Sequence, residues 1–535
     1  MASPSGVSAG SGGGAPVRSR RRALLLAAGG GAAFGLCWLP FGLAPAIPLA
    51  FLAMMLGVRE ARTARQALWL GAMCEAIRYV VGAHFLLALL AYSPLAVAFY
   101  LITIVYIVPA GMLTWWGAYR LEGWTGLPRP VGLALLYTLC EKLRSVGDLS
   151  FPADLTDHAF GTNPSFLTWS RWVGPFGVTL TMCGVALLAL RAVDAWPRRR
   201  PALAWGVAAL ALWAGAPVTG LMAGERSAQA AGVTSPALRI GIVQPATPIA
   251  EKLDPARAPE VWAELRRLTF EAAKGADLVL WPETARPGHL LLREGEAPSD
   301  PEVAEIARAV NVPILYGAHI AEVAGREVVA LYNGAALVRA DGSFGDWYGK
   351  QRLLPLAEGV PFGKLLGLDP RRRARNGQRR GYLSLLGNFT AGPEPTIFEV
   401  GQARIGVLIC YEGMYAQLAR TYRQRGANVL AVLTNDTWWG HSTFAPWHAR
   451  MIATRAVEED VPAVRAANSG ISSVTDGRGV IGPRTKLDEV RTITVELTPG
   501  PVGPGTFYTR FGDWIVWILP LPPLGAWLVT RRGRA

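Results

Sequence analysis

Hydrophobic patterning divides the chain in two. From Ala23 to Met222, apolar residues run in long blocks separated by short polar or basic stretches. From Leu238 to about residue 500 the apolar runs shorten, and they alternate with segments of helical composition. The blocks at 23–38, 42–58, 66–91, 94–117, 130–147, 172–193 and 201–222 are candidate membrane spans. A span needs roughly 20 apolar residues, so the first two are short, and Pro40 marks a turn between them. Trp514–Val529 is a further apolar block, interrupted by three prolines. The second half reads as strands at Leu238–Val243, Asp277–Trp281, Val312–Gly317, Val329–Val338, Ala403–Ile409, Asn428–Leu433 and Ala463–Ala467. Helices are expected at Glu260–Lys274, Pro301–Ala309, Tyr415–Arg425 and Ala445–Glu458. Such alternation argues for an α/β layered domain. The expected organisation is a disordered basic tail at 1–22, a bundle of about seven transmembrane helices at 23–222, an α/β domain at 237–500 and a last transmembrane helix at 511–530.

Charge adds an orientation. The formal net charge is +14, which suits a nucleic acid or a membrane surface. No nucleic-acid motif is present, and much of the basic excess lies beside apolar blocks. Arg18–Arg22, then Arg59, Arg62 and Arg65, then Arg120 and Arg129, then Arg198–Arg200 fall on one side if seven spans exist. The positive-inside rule makes that side cytoplasmic, so the α/β domain is expected outside the cytoplasmic membrane.

The candidate chemistry sits at strand ends. Of five cysteines, Cys37, Cys74, Cys140 and Cys183 lie in apolar blocks, which leaves Cys410 as the one thiol of the α/β half. It closes the run Ile405–Ile409 and is followed by Tyr411 and Glu412. Asp277–Pro282 delivers Glu283, and Trp347–Gly349 delivers Lys350 in the same way. The carboxyl ends of buried strands are where α/β proteins place reacting groups. A thiol nucleophile needs a base, and its tetrahedral intermediate needs positive charge. Glu283, Lys350 and Cys410 supply these parts, so a covalent acyl-enzyme is expected. His441 and His448 have no evident acidic orienter and are expected to be structural. No metal-ligand spacing occurs, and no cofactor is expected. In the apolar half, Glu75 with Arg78, and Glu141 with Arg144, share helical faces and are candidates for internal pairing.

Several stretches together resemble the nitrilase (carbon–nitrogen hydrolase) superfamily and, within it, the apolipoprotein N-acyltransferases. They are Trp281-Pro-Glu283, Tyr348-Gly-Lys350, Leu354-Pro-Leu-Ala-Glu358-Gly-Val-Pro361, Ile409-Cys-Tyr-Glu412, Thr434-Asn-Asp-Thr-Trp-Trp-Gly440, Pro446-Trp-His448, Asn468-Ser-Gly-Ile471 and Thr506–Trp514. The resemblance implies an αββα sandwich beside a polytopic helical bundle in the inner membrane. It implies a Glu283–Lys350–Cys410 triad, with Glu283 the general base, Lys350 stabilising thiolate and oxyanion, and Cys410 the nucleophile. Glu358, Tyr411 and Glu412 resemble supporting positions. The implied reaction is ping-pong: an acyl chain passes from a membrane phospholipid to Cys410 and then to the N-terminal amine of a diacylglyceryl-cysteine apolipoprotein. No nucleic acid is implied, and a monomer is expected. The chain departs from the family's usual tryptophans at Leu253 and Ala153, and has Trp447 where glutamine is common before the histidine. These departures keep two other readings open, a membrane-tethered amidase and an acyltransferase with a different amine or hydroxyl acceptor. A transporter with a regulatory domain is a third, against which the complete Glu-Lys-Cys set counts. The stretch 364–396, with Arg371–Arg373, Arg375, Arg379, Arg380 and Leu383–Leu386, reads as a basic arm with an apolar tip that could gate lipid entry.

Overall fold

The computed structural model describes residues 17–91, 96–230, 237–355, 357–363, 365 and 389–532. The arginine-rich stretch at 366–388 lies outside them.

Long helices build the first half: Val17–Trp38, Ile47–Arg59, Ala64–Gly82, Ala96–Thr125, Arg129–Arg144, Ser170–Asp194 and Arg199–Ala230. Among the described residues, three stretches are long and apolar enough to cross a membrane: Tyr100–Thr125, Ser170–Asp194 and Arg199–Met222. A fourth is reached if Ala64–Gly82 and the turn His84–Ala91, bent by 50°, form one span. Leu203, Leu210 and Leu221 stand exposed along the last of these helices, as a lipid-facing surface requires. Close helix contact depends on small residues, as membrane packing does. A Cβ on Gly71 would lie 2.3 Å from the Gly111 carbonyl oxygen, so two helices meet there backbone to backbone.

Three expectations change in the helical segments. Val17–Arg22 is the start of the first helix, not part of a disordered tail. Arginine is a good helix former, and nothing after Pro16 breaks the run. The C-terminal block is not one helix but two, Trp514–Ile518 and Leu521–Arg532. Pro520 ends the first, and Pro522 and Pro523 sit in the first turn of the second, where proline is tolerated. Of the buried charges, Glu75 and Arg78 pair as their spacing predicts, whereas Glu141 and Arg144 do not. Arg78 donates to Glu75 at 2.6 Å and to Asp154 at 2.7 Å. Arg144 turns to Asp154 as well. Glu141 instead accepts from the backbone and hydroxyl of Thr156, at 3.0 and 2.7 Å, and from Thr179.

The second half is an αββα sandwich. One sheet runs β13-β1-β2-β4-β5-β6, with β3 beside β4. Its strands are β1 Leu238–Gln244, β2 Leu278–Leu280, β3 His289–Arg293, β4 Ile314–Ala324, β5 Glu327–Val338, β6 Phe344–Gly349 and β13 Arg491–Leu497. The other runs β12-β11-β10-β9-β8-β7, from β7 Ile397–Val400, β8 Ala403–Ile409, β9 Val429–Thr434, β10 Ala463–Ala467, β11 Ser473–Thr475 and β12 Ile481–Arg484. Side chains alternate across each strand. Thus Leu278 and Leu280 join Val407 and Ala431 between the sheets, whereas Val279 packs outward with Leu265 and Leu268 of the helix Ala258–Ala272. Helices Ala416–Gln424 and Phe444–Glu459 cover the other sheet.

The sandwich rests on the helical half through an aromatic seam. Trp447 lies tilted 4.4 Å from Trp38 and stacks on Phe85 at 5.8 Å, and Trp439 meets Phe85 edge-on at 5.6 Å. Beneath it, the buried Arg455 donates to Asp157 at 2.8 Å. Trp447, a departure from the family pattern, is therefore a wedge between the two halves.

Candidate active site

Each of the three expected residues emerges where its strand stops. Glu283 follows β2 through Trp281 and Pro282, and Thr284 behind it turns into a left-handed conformation at φ 48°. The turn lies so close to β4 that a Cβ on Gly317 would sit 2.6 Å from the Glu283 Cα; only glycine fits there. Lys350 follows β6, and its backbone N–H donates to the Asn333 carbonyl at 2.8 Å. Cys410 follows β8 and opens the turn Cys410–Met414 at φ 51°. A left-handed non-glycine residue is strained and persists only where its surroundings hold it. Glu412 does the holding. Its Oε2 accepts from the Ile409 N–H at 2.8 Å. Its Oε1 accepts from the Tyr348 hydroxyl at 2.8 Å and from the N–H groups of Gln351 and Arg352 at 2.7 and 3.0 Å. One buried carboxylate thus ties the end of β8, with Cys410, to the end of β6, with Lys350.

The charges converge. Lys350 Nζ donates to Glu358 Oε1 at 2.7 Å and lies 3.9 Å from Glu283 Oε1. Burial works against its charge, but the two carboxylates outweigh it and hold the pKa above that of an ordinary lysine. Glu283 is raised from the usual carboxylate range by burial; Lys350 opposes this and Glu358 adds to it. The Cys410 thiol is pushed up by burial and by the Glu283 charge, with Lys350 pulling the other way. At neutral pH the resting thiol is therefore protonated and needs a base at the moment of attack.

Sequence reasoning missed the groups that hold these side chains. Asn333 Nδ2 donates to Glu283 Oε1 at 2.7 Å and to Glu358 Oε1 at 3.0 Å, which keeps the two carboxylates in one cluster. The only hint was a polar residue within the apolar run of β5. The Asn435 N–H donates to Glu283 Oε2 at 2.8 Å, and Glu358 Oε2 accepts from the Leu354 N–H at 2.8 Å. Behind Glu283, Lys252 donates to its carbonyl oxygen at 3.1 Å and to the Thr284 hydroxyl at 3.0 Å. Tyr411 points to the helical half, where its hydroxyl donates to the Ser150 carbonyl at 2.8 Å.

His448 does have an acidic orienter. Its Nδ1 lies 2.9 Å from Asp436 Oδ1, and Arg465 donates to Asp436 Oδ2 at 2.5 Å. Asp436, held well below the usual carboxylate range against its own burial by Arg465 and His448, stays ionised. It lies on the turn after β9, a separation that no local motif reveals. His441 is exposed and faces Asp488 at 3.2 Å.

Glu358→Gln keeps the shape and removes the charge nearest Lys350. The expected result is a fall in turnover of about tenfold to a hundredfold with little change in melting temperature, measured by initial rates and thermal denaturation of the detergent-solubilised protein.

Comparison with known proteins bears on both halves. Residues 239–504 match the carbon–nitrogen hydrolase family, and residues 30–188 match the apolipoprotein N-acyltransferase N-terminal domain. The apolipoprotein N-acyltransferase of Geobacter metallireducens is 34% identical over 269 residues, which is 50% of this chain and 48% of that protein. The chain thus spans about half the length of that relative. The apolipoprotein N-acyltransferase of Azotobacter vinelandii is 29% identical over 538 residues, 94% of each chain. Among solved structures, an amidase from Nesterenkonia sp. is 18% identical, with 54% of this chain and 98% of that one covered at a TM-score of 0.36. A membrane protein whose helical half and sandwich match the two characteristic parts in the same order, this chain belongs to the apolipoprotein N-acyltransferase family of the carbon–nitrogen hydrolase superfamily.

Proposed function

We propose that the protein is a phospholipid:apolipoprotein N-acyltransferase working through a Cys410 thioester. In the first half-reaction the Cys410 proton passes to Glu283 as sulfur attacks the ester carbonyl of a membrane phospholipid. Lys350 faces the oxyanion that forms. Collapse breaks the carbon–oxygen bond, the leaving alkoxide takes the proton back from Glu283, and a lysophospholipid departs. In the second, the N-terminal amine of a diacylglyceryl-cysteine lipoprotein attacks the thioester and gives its proton to Glu283. The carbon–sulfur bond breaks, and the thiolate recovers that proton. Both steps leave the net charge of the cluster unchanged, which suits a buried site.

The observation that carries this reading is the seat of the nucleophile turn on the helical half, through the Tyr411–Ser150 bond beside Cys410. A soluble amidase needs no such support; an enzyme taking its acyl group from lipid does. The family's name for its substrate and the strand-end chemistry support the rest. We place the protein in the inner membrane with the sandwich on the periplasmic side, from the distribution of arginines between spans. Seven apolar blocks before the sandwich, three of which form helices long and apolar enough to cross a membrane, fit that topology, and the broken pair Trp514–Ile518 and Leu521–Arg532 follows the sandwich.

Incubating the purified protein with phospholipid carrying a labelled acyl chain should give a hydroxylamine-labile adduct on Cys410. Adding a diacylated lipopeptide should discharge the label into N-acyl product. Discharge to free fatty acid alone would overturn the proposal in favour of a hydrolase.

A further inference from the structure

A cleft of about 300 Å³ lies between the helix Phe444–Glu459 and the β11–β12 hairpin, and none of the charged groups around Cys410 lines it. Three cations do: Arg450, Arg484 and Lys486, beside the apolar side chains of Ile471 and Ile481. Among the described residues none of the three forms an ion pair. Of the two carboxylates that follow in the chain, Asp488 faces His441 at 3.2 Å, and Glu489 is bonded to Arg491 at 3.0 Å and accepts from the Lys486 backbone N–H at 2.9 Å. Ser473 also lines the cleft; it is 1% exposed, and its hydroxyl has no hydrogen-bond partner. Burying a hydroxyl without a partner is unfavourable, so the site is short of an acceptor. The pKa of Arg450 is depressed, first by burial and then by Arg484, as expected for positive charge gathered without a counter-ion.

The cleft sits at the level of the helical half's surface. Arg450 donates to the carbonyl of Pro40, in the turn between the first two helices. Arg171, at the start of the helix Ser170–Asp194, donates to the Gly477 carbonyl at the tip of the β11–β12 hairpin, at 2.7 Å. Next to Pro40, Phe41 and Leu43 are exposed, 62% and 46%. A basic, donor-rich recess beside an exposed apolar turn matches the two ends of one kind of molecule. We infer that this cleft binds the phosphate of a phospholipid headgroup, with the acyl chains lying along the apolar turn, as a lipid site additional to the one that feeds Cys410. The inference rests on the membrane-embedded reading for the presence of lipid, not on acyl transfer.

The test is lipid retention by the full-length protein in detergent, titrated with phosphatidylglycerol and read by native mass spectrometry. It is carried out in the Cys410→Ser background, so that the outcome does not depend on whether the acyl-transfer proposal stands. Arg484→Glu with Lys486→Glu, both at exposed positions, should weaken the most tightly held lipid by about thirtyfold. Ser473→Ala should weaken it by about fivefold. Diacylglycerol, which lacks the phosphate, should not compete. Equal retention by the charge-reversed protein, or equal competition by diacylglycerol, would overturn the inference. Displacement of the lipid by an equal concentration of inorganic phosphate would assign the cleft to the free ion instead.

Discussion

Replacing Cys410 with serine is expected to lower the acyl-transfer rate on the order of 10⁴-fold while leaving the fold intact. Serine is the smaller of the two, and it takes the same strained turn, because the Glu412 bonds that hold the turn go to backbone groups and to Tyr348. What changes is the proton. Glu283 has a raised pKa and takes a thiol proton readily; an alcohol is a far weaker acid, and its oxygen is a poorer nucleophile in this setting. Single-turnover transfer from labelled phospholipid measures the loss, and an unchanged melting temperature excludes misfolding. A serine protein that retained more than about a hundredth of the rate would remove Cys410 from the nucleophile's role.

The residues proposed for this chemistry were legible as a candidate set because each one ends an apolar run. Glu283, Lys350 and Cys410 stop three strands abruptly, and a strand that stops in a polar group signals the mouth of an α/β fold. The central strands and their covering helices were legible for a related reason, since burial on both faces leaves continuous Val, Ile and Leu. Strands β3, β7, β12 and β13 were not. β3 alternates exposed and buried residues, β12 is exposed along almost its whole length, and β7 and β13 mix the two; Arg491–Leu497 reads as a polar segment until β1 is beside it. Asn333 and Asp436 were missed because their roles exist only once separate elements of one sheet lie side by side, where each meets groups well removed in sequence. Glu141 and Arg144 show the opposite error. Helical spacing put them on one face, but Asp154 from the following loop captures Arg144 and two threonines satisfy Glu141.

The architecture gives the cluster a simple electrostatic logic. Two carboxylates share one ammonium, with Asn333 holding the carboxylates together. A free thiolate would add a further negative charge to a buried site, which the raised thiol pKa resists. Proton transfer to Glu283 moves negative charge from one atom to another without adding any. In the proposed mechanism Lys350 then serves whichever of the two carries it, and afterwards the oxyanion.

Glu283→Gln should therefore reduce transfer by about 10³-fold, within the range for loss of a positioned base, and should change the shape of the pH profile. In the native protein Glu283 works only as a carboxylate, so kcat/KM should rise about tenfold per pH unit below its pKa and level off above it. Because the pKa is raised, that limb lies at higher pH than for an ordinary glutamate; with glutamine it should vanish. Two neighbours move it in opposite directions. Lys252, pushed down to about 8 by burial against the pull of Glu283, is still protonated at neutral pH, and its charge lowers the Glu283 pKa. Lys252→Met should shift the limb to higher pH. The Glu358 charge raises the Glu283 pKa, so Glu358→Gln should shift the limb to lower pH. Measuring kcat/KM for the four proteins across the acid range checks both signs. A profile that kept its acid limb in Glu283→Gln would assign the base to another group, with Glu358 the first to examine, since it too touches Lys350.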